Sequence, residues 1–374
     1  MSAQLRQETL ARVKRVVIKL GSAVLSREDG RLDRTLIASL AEQVGDLRRR
    51  GVDVLIVSSG AVSAGMAEMS LSDRPAEITS KQALAAIGQS QLMRIWADAF
   101  AGEDLHVAQV LLSRGDLDDR QRYLNARGAL LRLLEMGVIP IINENDTTAI
   151  EELTFGDNDI LSAAVAAKVE AQLLVILTIV QGLHGADGRV VSHIEKVTDE
   201  VIRLVRSERS KLGRGGMESK LLAAKNATTS GVAALIASGK DRRVLDRIFA
   251  GEPLGTWFEP ARDRLSGRKR WIALGKASHH RHVVVDEGAA KALVDKHRSL
   301  LPIGVREVSG PFGVGDVIEI RGPGGQVLGR GLVNYTSQQV DAIRGAHTHE
   351  LEARLGATPP HEEIIHRDNL IIYR

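Results

Sequence analysis

Two lysines have neighbours that suit phosphate chemistry. Lys19 lies in the apolar run Val16 to Leu20 and is followed by a Gly-Ser turn, and Lys220 follows the glycine-rich segment that starts at Gly213. Small residues allow backbone amides to approach an anion, and an ammonium group there neutralises its charge. For Lys19 the turn favours phosphate binding over a packed stem with a solvated ammonium group. For Lys220 the sequence alone supports a solvated helix lysine equally well.

A segment rich in carboxylates and asparagines, NENDTTAIEELTFGDND, runs from Asn143 to Asp159. Acidic side chains at the ligand edge of a sheet can bind an ammonium group, hold magnesium or orient a lysine. They would repel phosphate unless a cation such as Lys19 lay among them. A solvated acidic loop is the alternative, but the ordered Asn-Glu-Asn-Asp and Gly-Asp-Asn-Asp spacing favours a site.

Several common catalytic sites are excluded or disfavoured by their motifs. No GxxxxGK[ST] sequence occurs, which excludes a P-loop. The glycine-rich turn Gly60 to Gly65 has the spacing GxxSxG rather than the GxSxG of a hydrolase nucleophile elbow, so a serine hydrolase is disfavoured. The chain has no cysteine, which excludes disulfides, thiolate metal sites, iron–sulfur clusters and cysteine nucleophiles.

The elements that must position these residues follow an alternating pattern. Short β-branched runs are separated by segments of helical spacing, such as Asp33 to Arg50, with Asp33 as N-cap and Gly51 as terminator. A further helix is expected over Ile160 to Lys168. The pattern predicts an α/β fold, an open and mainly parallel sheet sandwiched by helices, whose ligands bind at the carboxyl ends of the strands. The expected strands are Val16 to Leu20, Val54 to Val57, Val107 to Leu112, Val138 to Ile142, Leu173 to Leu177 and Ala233 to Ala237.

The character of the chain changes after about residue 258. Residues 259–281 are basic and irregular, which indicates a linker between a first domain, 1–258, and a second, 282–374. The second domain carries short apolar runs separated by turn signals, at His282 to Val285, Gly315 to Ile320 and Gly329 to Val333. A small β-rich domain is expected.

Composition and charge set wider limits. Hydrophobic residues make up 44% and charged residues 26%, the balance of a soluble globular protein, and no apolar run is long enough for a membrane helix. The N-terminus lacks the apolar core of a signal peptide, so a cytoplasmic location is expected. Fifty basic and 47 acidic residues give +3, which does not demand nucleic acid. The histidines are expected to be exposed rather than metal-binding, at 279, 280, 282, 347 and 349.

Together these segments resemble the amino-acid kinase family, and within it the branch that phosphorylates glutamate. The resemblance covers nearly the whole chain and is most specific at NEND followed by FGDND. The distal domain resembles a PUA domain. The segments that carry the resemblance are VVIKLGSAVL, VSSGAVSAG, SKQALAAIGQSQLM, DRQRYLNAR, VIPIINEND, FGDNDILSA and GGMESK, followed by VDEGA, SLLP, FGVGDVIEI and GLVNYTS.

The resemblance implies an amino-acid kinase fold and phosphoryl transfer from MgATP to the side-chain carboxylate of L-glutamate, giving L-glutamyl 5-phosphate as the first step of proline biosynthesis. It implies that Lys19 and Lys220 contact the ATP phosphates and that Asp159 holds both lysines. Further positions match the family's binding residues: Ser59, Asp146 and Asn158 for glutamate, and Thr178, Ile179, Arg214, Gly215, Gly216, Met217, Glu218, Ser219 and Lys220 for the nucleotide. No protein metal ligand is assigned. Proline as a feedback inhibitor, a homo-oligomer (dimer or tetramer) and a downstream glutamyl phosphate reductase are the implied partners.

The sequence departs from the family at one place. The family usually has Thr-Asp followed by Gly-Leu-Tyr, so Ile179 replaces an acid and His184 replaces a tyrosine. Weakened handling of ATP is therefore expected, with the chemistry kept.

Two alternative functions stay open. The kinase could use another amino-acid-like carboxylate acceptor, carbamate or a nucleoside monophosphate. The PUA-like domain could bind RNA, but residues 281–374 hold 11 basic and 12 acidic side chains, and RNA affinity depends largely on phosphate neutralisation. RNA is therefore not expected as a partner, and neither is a membrane.

Overall fold

The structure is a computed structural model that describes residues 2–148, 157–185, 187–198, 201, 216–261, 280–356, 358–359 and 361–373. The chain forms two compact units, residues 1–264 and 265–374. Most of the expected linker, 259–281, lies outside the described residues, so its limits stay a prediction.

The first unit is built on a sheet of eight strands in the order β3-β4-β2-β1-β5-β7-β8-β6. The six strands from β3 to β7 run parallel, and β8 is antiparallel to β7. Strand β1 lies near the middle of the sheet. The strands are β1 (Arg15–Leu20), β2 (Asp53–Ser58), β3 (Val107–Leu112), β4 (Ile139–Glu144), β5 (Leu173–Thr178), β6 (His193–Ile194), β7 (Ala233–Ser238) and β8 (Thr256–Phe258).

Helices cover both faces of this sheet. The helices are α1 (Ser2–Ala11), α2 (Ser22–Leu25), α3 (Arg34–Arg49), α4 (Ala61–Glu68), α5 (Ile78–Ala101), α6 (Arg114–Asp118), α7 (Arg120–Glu135), α8 (Asp157–Lys168), α9 (Gly216–Thr229) and α10 (Val244–Phe249). Alternate side chains of each strand enter two separate hydrophobic cores. One core packs against α3, α5 and α10, and the other packs against α7, α8 and α9. The expected α/β sandwich is confirmed.

The predicted elements agree with the structure to within a few residues, with two informative differences. Asp33 caps α3 by accepting hydrogen bonds from the amides of Thr35 and Leu36, as predicted. Strand β4 extends through Glu144, so the acidic segment begins inside a strand and not after it. Helix α8 begins at Asp157 rather than Ile160, which places the Asp-Asn-Asp triplet in its first turn.

The second unit has a sheet and a hydrophobic core of its own. Its strands have the order β10-β9-β11-β12-β13, with β9 and β11 parallel and the other neighbours antiparallel. The expected β-rich domain is confirmed. The elements are β9 (His282–Val285), α11 (Glu287–Val294), β10 (Val305–Ser309), β11 (Val317–Arg321), β12 (Val327–Leu332), α12 (Ser337–Ile343), α13 (Leu351–Leu355) and β13 (Leu370–Ile372). In the described part of the chain, no helix has the length and apolarity to cross a membrane.

Candidate active site

Lys19 lies in the centre of the parallel sheet. Strand alternation puts its side chain on the same face as Val17, the face that α8 and α9 cover. Lys19 is only 5% exposed. Its ammonium group lies close to the turn that follows the strand, since a Cβ at Gly21 would lie 3.7 Å from Lys19 Nζ. A lysine buried in a strand needs a negative partner.

Asp159 supplies that partner from the first turn of α8. Its Oδ1 lies 2.6 Å from Lys19 Nζ, and its Oδ2 lies 3.1 Å from Lys220 Nζ on α9. Ser219 Oγ donates to Oδ2 at 2.7 Å. We call Lys19, Asp159, Ser219 and Lys220 the lysine cluster. One buried carboxylate thus holds two ammonium groups that come from different elements.

Burial and charge shift the pKa values of this cluster. Burial lowers the pKa of Lys19, and the nearby Lys220 ammonium lowers it further, while the attraction of Asp159 opposes both effects. Burial alone would raise the pKa of the Asp159 carboxyl, but the two lysines and the hydrogen bond from Ser219 outweigh it, so its pKa lies below the usual value. Asp159 is therefore ionised at neutral pH.

Helix α9 begins at Gly216, inside the glycine-rich segment that the family resemblance assigns to the nucleotide. Lys220 Nζ donates to the carbonyl of Gly216 at 2.8 Å, which folds the lysine back over the first turn. Gly216, Met217, Glu218 and Ser219 are helical, with Met217 packed against the core below. Arg214 and Gly215 lie outside the described residues.

A second polar group lies beside the lysine cluster, since Asn158 directly precedes Asp159. Asn158 Nδ2 donates to Ser59 Oγ and to Asn143 Oδ1, both at 2.9 Å. Asn143 Nδ2 in turn donates to Gln89 Oε1 at 2.9 Å. We call Gln89, Asn143 and Asn158 the amide relay. The relay connects α8, β4 and α5, and through Ser59 it reaches the end of β2.

The remaining predicted residues lie at the same carboxyl edge of the sheet. Asp146 is half-buried in the turn that follows β4. Thr178 ends β5 and is 8% exposed, whereas Ile179 directly after it is 56% exposed. The Gly239 amide donates to the Thr178 carbonyl, which joins the ends of β5 and β7. The structure thus brings Lys19 and Lys220 into contact with Asp159, and Ser59 into contact with Asn158. It places Asp146, Thr178 and Ile179 along the same edge.

Gln89 and Asn143 were not predicted as site residues from the sequence. Asn143 lies inside the acidic segment, and no feature of its own distinguishes it from the neighbouring polar residues. Gln89 lies in the middle of α5 and is a polar residue on the buried side of that helix, with 8% exposure. A buried glutamine needs hydrogen-bond partners, so the burial of Gln89 is the feature that could have indicated its role.

Among the described residues of the site, Asp159 is poorly placed to bind magnesium directly. Both carboxylate oxygens of Asp159 face ammonium groups, and magnesium prefers free carboxylate oxygens and water. In the part of the chain that the structure describes, no three His, Cys, Asp or Glu side chains group so as to hold a metal ion. The cluster suits an anion instead, because two cations share one carboxylate.

The chain is similar to proteins of a known family. The model of the amino acid kinase family matches residues 14–238, and that of the PUA domain matches residues 281–355. The glutamate 5-kinase of Geobacter sp. (strain M21) is 47% identical over 98% of this chain and 100% of its own length. That of Syntrophotalea carbinolica is 44% identical with the same coverage. A solved carbamate kinase from Giardia covers 67% of this chain and 100% of its own at 19% identity, with a TM-score of 0.49. The chain belongs to the amino acid kinase family.

Proposed function

We propose that this chain transfers the terminal phosphoryl group of ATP to the side-chain carboxylate of L-glutamate, giving L-glutamyl 5-phosphate and ADP, the first step of proline biosynthesis. Full-length relatives named glutamate 5-kinase support the substrate. The observation that carries the reaction type is the lysine cluster, with two ammonium groups 2.6 and 3.1 Å from one buried carboxylate. Such a pair is suited to a polyanion.

The reaction needs no general base. The attacking group is a carboxylate, and a glutamate side chain with a reference pKa of about 4.3 is ionised at neutral pH. One oxygen of that carboxylate bonds to the terminal phosphorus while the bond from this phosphorus to the bridging oxygen breaks, and ADP takes the electron pair. The balance is complete without a proton. Catalysis therefore consists of positioning and electrostatics.

The two lysines reduce the repulsion between the glutamate carboxylate and the phosphates of ATP. In the proposed role, Lys19 and Lys220 contact the phosphates and stabilise the charge on the transferred group. Each ammonium at about 4 Å from a unit negative charge is worth roughly 4 kcal/mol at an effective dielectric of 20. Asp159 keeps both cations in one place, since without it they would repel each other inside the protein.

The acceptor side is assigned to Ser59, Asp146 and Asn158. Asp146 provides a negative charge for the α-ammonium of glutamate, and Ser59 and Asn158, which share a hydrogen bond, provide polar contacts to the same molecule. Magnesium enters in this proposal with ATP, held by the phosphates and water.

An acceptor assay separates glutamate from other acceptors. ADP release is measured with L-glutamate, aspartate, carbamate and other amino acids in the presence of hydroxylamine, which traps an acyl phosphate as a hydroxamate. We expect a hydroxamate with glutamate and little ADP release with the rest. ADP release with glutamate but without hydroxamate would contradict the proposed product.

Removal of either cation tests the lysine cluster. Lys19→Met and Lys220→Met each remove a charge and keep most of the stem, and we expect kcat to fall about 10²- to 10³-fold, as for the loss of one preorganised charge contact. The matched control is Lys196→Met, because Lys196 is exposed. Circular dichroism checks that each variant is folded. A folded Lys19→Met or Lys220→Met variant with the turnover of the control would refute the proposed roles.

Other expectations remain proposals. They are a cytoplasmic location, inhibition by proline near the glutamate pocket, a homo-oligomer, and a reductase that consumes the labile acyl phosphate.

A further inference from the structure

The amide relay has a fixed direction. A side-chain amide can present either its oxygen or its NH2 group to a neighbour, so its orientation must come from a partner with only one role. The backbone amide of Glu144 is such a partner, because an N–H can only donate. It contacts Asn143 at 2.9 Å, so the contacted atom must be the oxygen, Oδ1.

This one contact orients the other two amides. Asn143 Nδ2 is left facing Gln89, which therefore presents its oxygen, Oε1. Asn158 contacts the same Asn143 Oδ1, so it must present its NH2 group there. The second hydrogen of that group goes to Ser59 Oγ. Both donors of Asn158 are thus used inside the protein.

The orientation leaves the oxygen of Asn158 unused. Asn158 Oδ1 is buried and has no hydrogen-bond partner among the described residues. A buried acceptor without a donor is costly, and a ligand that brings a donor removes that cost. Ser59 Oγ accepts from Asn158, which leaves the hydroxyl hydrogen of Ser59 for donation to another oxygen.

We propose that this fixed direction makes the carbonyl oxygen of Asn158, and not its NH2 group, an acceptor for the α-ammonium of the substrate in addition to Asp146, with Gln89 and Asn143 as positioning residues. The inference rests on the function proposed above. Asn158 Oδ1 then accepts from the ammonium, and Ser59 donates to a carboxylate oxygen of the same molecule. The relay thereby selects an amino acid over a diacid of the same length that lacks the ammonium group.

Gln89 is the relay member best suited to a test, because in this proposal it does not contact the substrate. It contacts only Asn143 in the relay, and it is held in place where α5 packs closely on α4: a Cβ at the preceding residue, Gly88, would lie 1.9 Å from the carbonyl of Ala61. If Gln89 loses its oxygen, Asn143 Nδ2 loses its acceptor, and Asn143 is held in the relay only by the Glu144 amide and by Asn158.

The test compares Gln89→Met, which keeps the length of the side chain but lacks the oxygen, with Gln89→Glu, which keeps an oxygen at that position. Gln91→Met on the same helix is the matched control, since Gln91 is partly exposed and outside the relay. Three constants are measured for each protein: the KM for glutamate, the KM for ATP, and the inhibition constant of glutarate, the diacid without the ammonium group.

For Gln89→Met we expect the KM for glutamate to rise about tenfold, the loss typical of one hydrogen bond. The KM for ATP and the inhibition constant of glutarate should stay within about twofold, and Gln89→Glu should restore the KM for glutamate. Equal increases for glutamate and glutarate, or an unchanged KM for glutamate, would overturn the inference while leaving the proposed function intact. A wild-type protein that makes no hydroxamate from glutamate would overturn both.

Discussion

At the scale of single residues, one carboxylate organises the phosphate side of the site. Asp159 is 1% exposed and binds Lys19 and Lys220 through different oxygens. Removal of one partner of a buried ion pair usually costs about 3 to 5 kcal/mol, because the other charge stays buried alone. If Asp159 were removed, two like charges, the ammonium groups of Lys19 and Lys220, would remain close together. Asp159 is therefore expected to be as important for the folding of this region as for the proposed binding of ATP.

The pH dependence of ATP use should report the buried lysine. Lys19 must be protonated to attract phosphate, and burial lowers its pKa below the ordinary value of 10.5, so kcat/KM for ATP should fall on the alkaline side with a midpoint below pH 10.5. Asp159 holds the proton on Lys19, so Asp159→Asn should move this midpoint to lower pH. Initial rates of ADP release between pH 7 and 10.5 measure it. A midpoint that moves upward in Asp159→Asn would contradict this account.

The lysine cluster was predictable from the sequence, whereas the amide relay was not. Lys19, Lys220 and Asp159 stand in segments with glycine or acidic neighbours, and family resemblance assigned their roles. Asn143 on β4 and Gln89 on α5 are joined by a hydrogen bond although they are 54 positions apart in the sequence. A contact of that kind depends on the three-dimensional packing, and no local pattern marks it.

At the scale of elements, the contact between α4 and α5 fixes the acceptor side. Gly60 follows Ser59 as the N-cap of α4, and its φ of +112° is a conformation that favours glycine. Gly65 and Gly88 allow the backbones of the two helices to touch, since a Cβ on either would lie about 2 Å from a carbonyl oxygen of the other helix. This approach sets the distance between Ser59 and Gln89.

A methyl group at this contact should separate the helices. Gly88→Ala puts a Cβ 1.9 Å from the backbone oxygen of Ala61, which cannot move aside cheaply, so we expect the free energy of unfolding to fall by about 1 to 3 kcal/mol. The KM for glutamate should rise as well, because Gln89 moves with α5. Urea denaturation and initial rates measure both effects.

The matched control for this substitution is Gly128→Ala in α7. A Cβ at Gly128 meets nothing within 4 Å, so the better helix propensity of alanine should raise the free energy of unfolding by about 0.5 to 1 kcal/mol. Equal effects of the two substitutions would show that the α4–α5 contact is looser than described.

The longer elements were predictable because their residue patterns are strong. The buried β-branched runs predicted β1 to β5 and β7 to within two residues at each end. The short strands β6 and β8 were missed: two or three residues carry no detectable period, and their pairing at the sheet edge depends on tertiary contacts. Helix α8 was predicted to start too late, because its first residues are acidic and polar rather than apolar.

At the scale of the whole molecule, the two units have separate hydrophobic cores. The cores of the first unit flank its eight-stranded sheet, and the core of the second unit consists of residues between Val283 and Leu370. Every described residue of the candidate site belongs to the first unit. A ligand of this site should therefore stabilise the first unit directly.

Calorimetry in the presence of MgATP tests this separation. At about 100 times its dissociation constant, a ligand adds about 2.7 kcal/mol to the stability of the unit that binds it. We expect the transition of residues 1–264 to move to higher temperature and that of 265–374 to stay. The Lys220→Met variant should show a smaller shift. A single transition that shifts as one would mean that the two units unfold together.

The amide relay has one more consequence, which follows from what it is made of. Amides and a hydroxyl neither gain nor lose a proton between mildly acidic and strongly alkaline solution, whereas the neighbouring Lys19 ammonium can. The relay therefore keeps its charge and its direction in base, while the attraction of Lys19 for phosphate is lost.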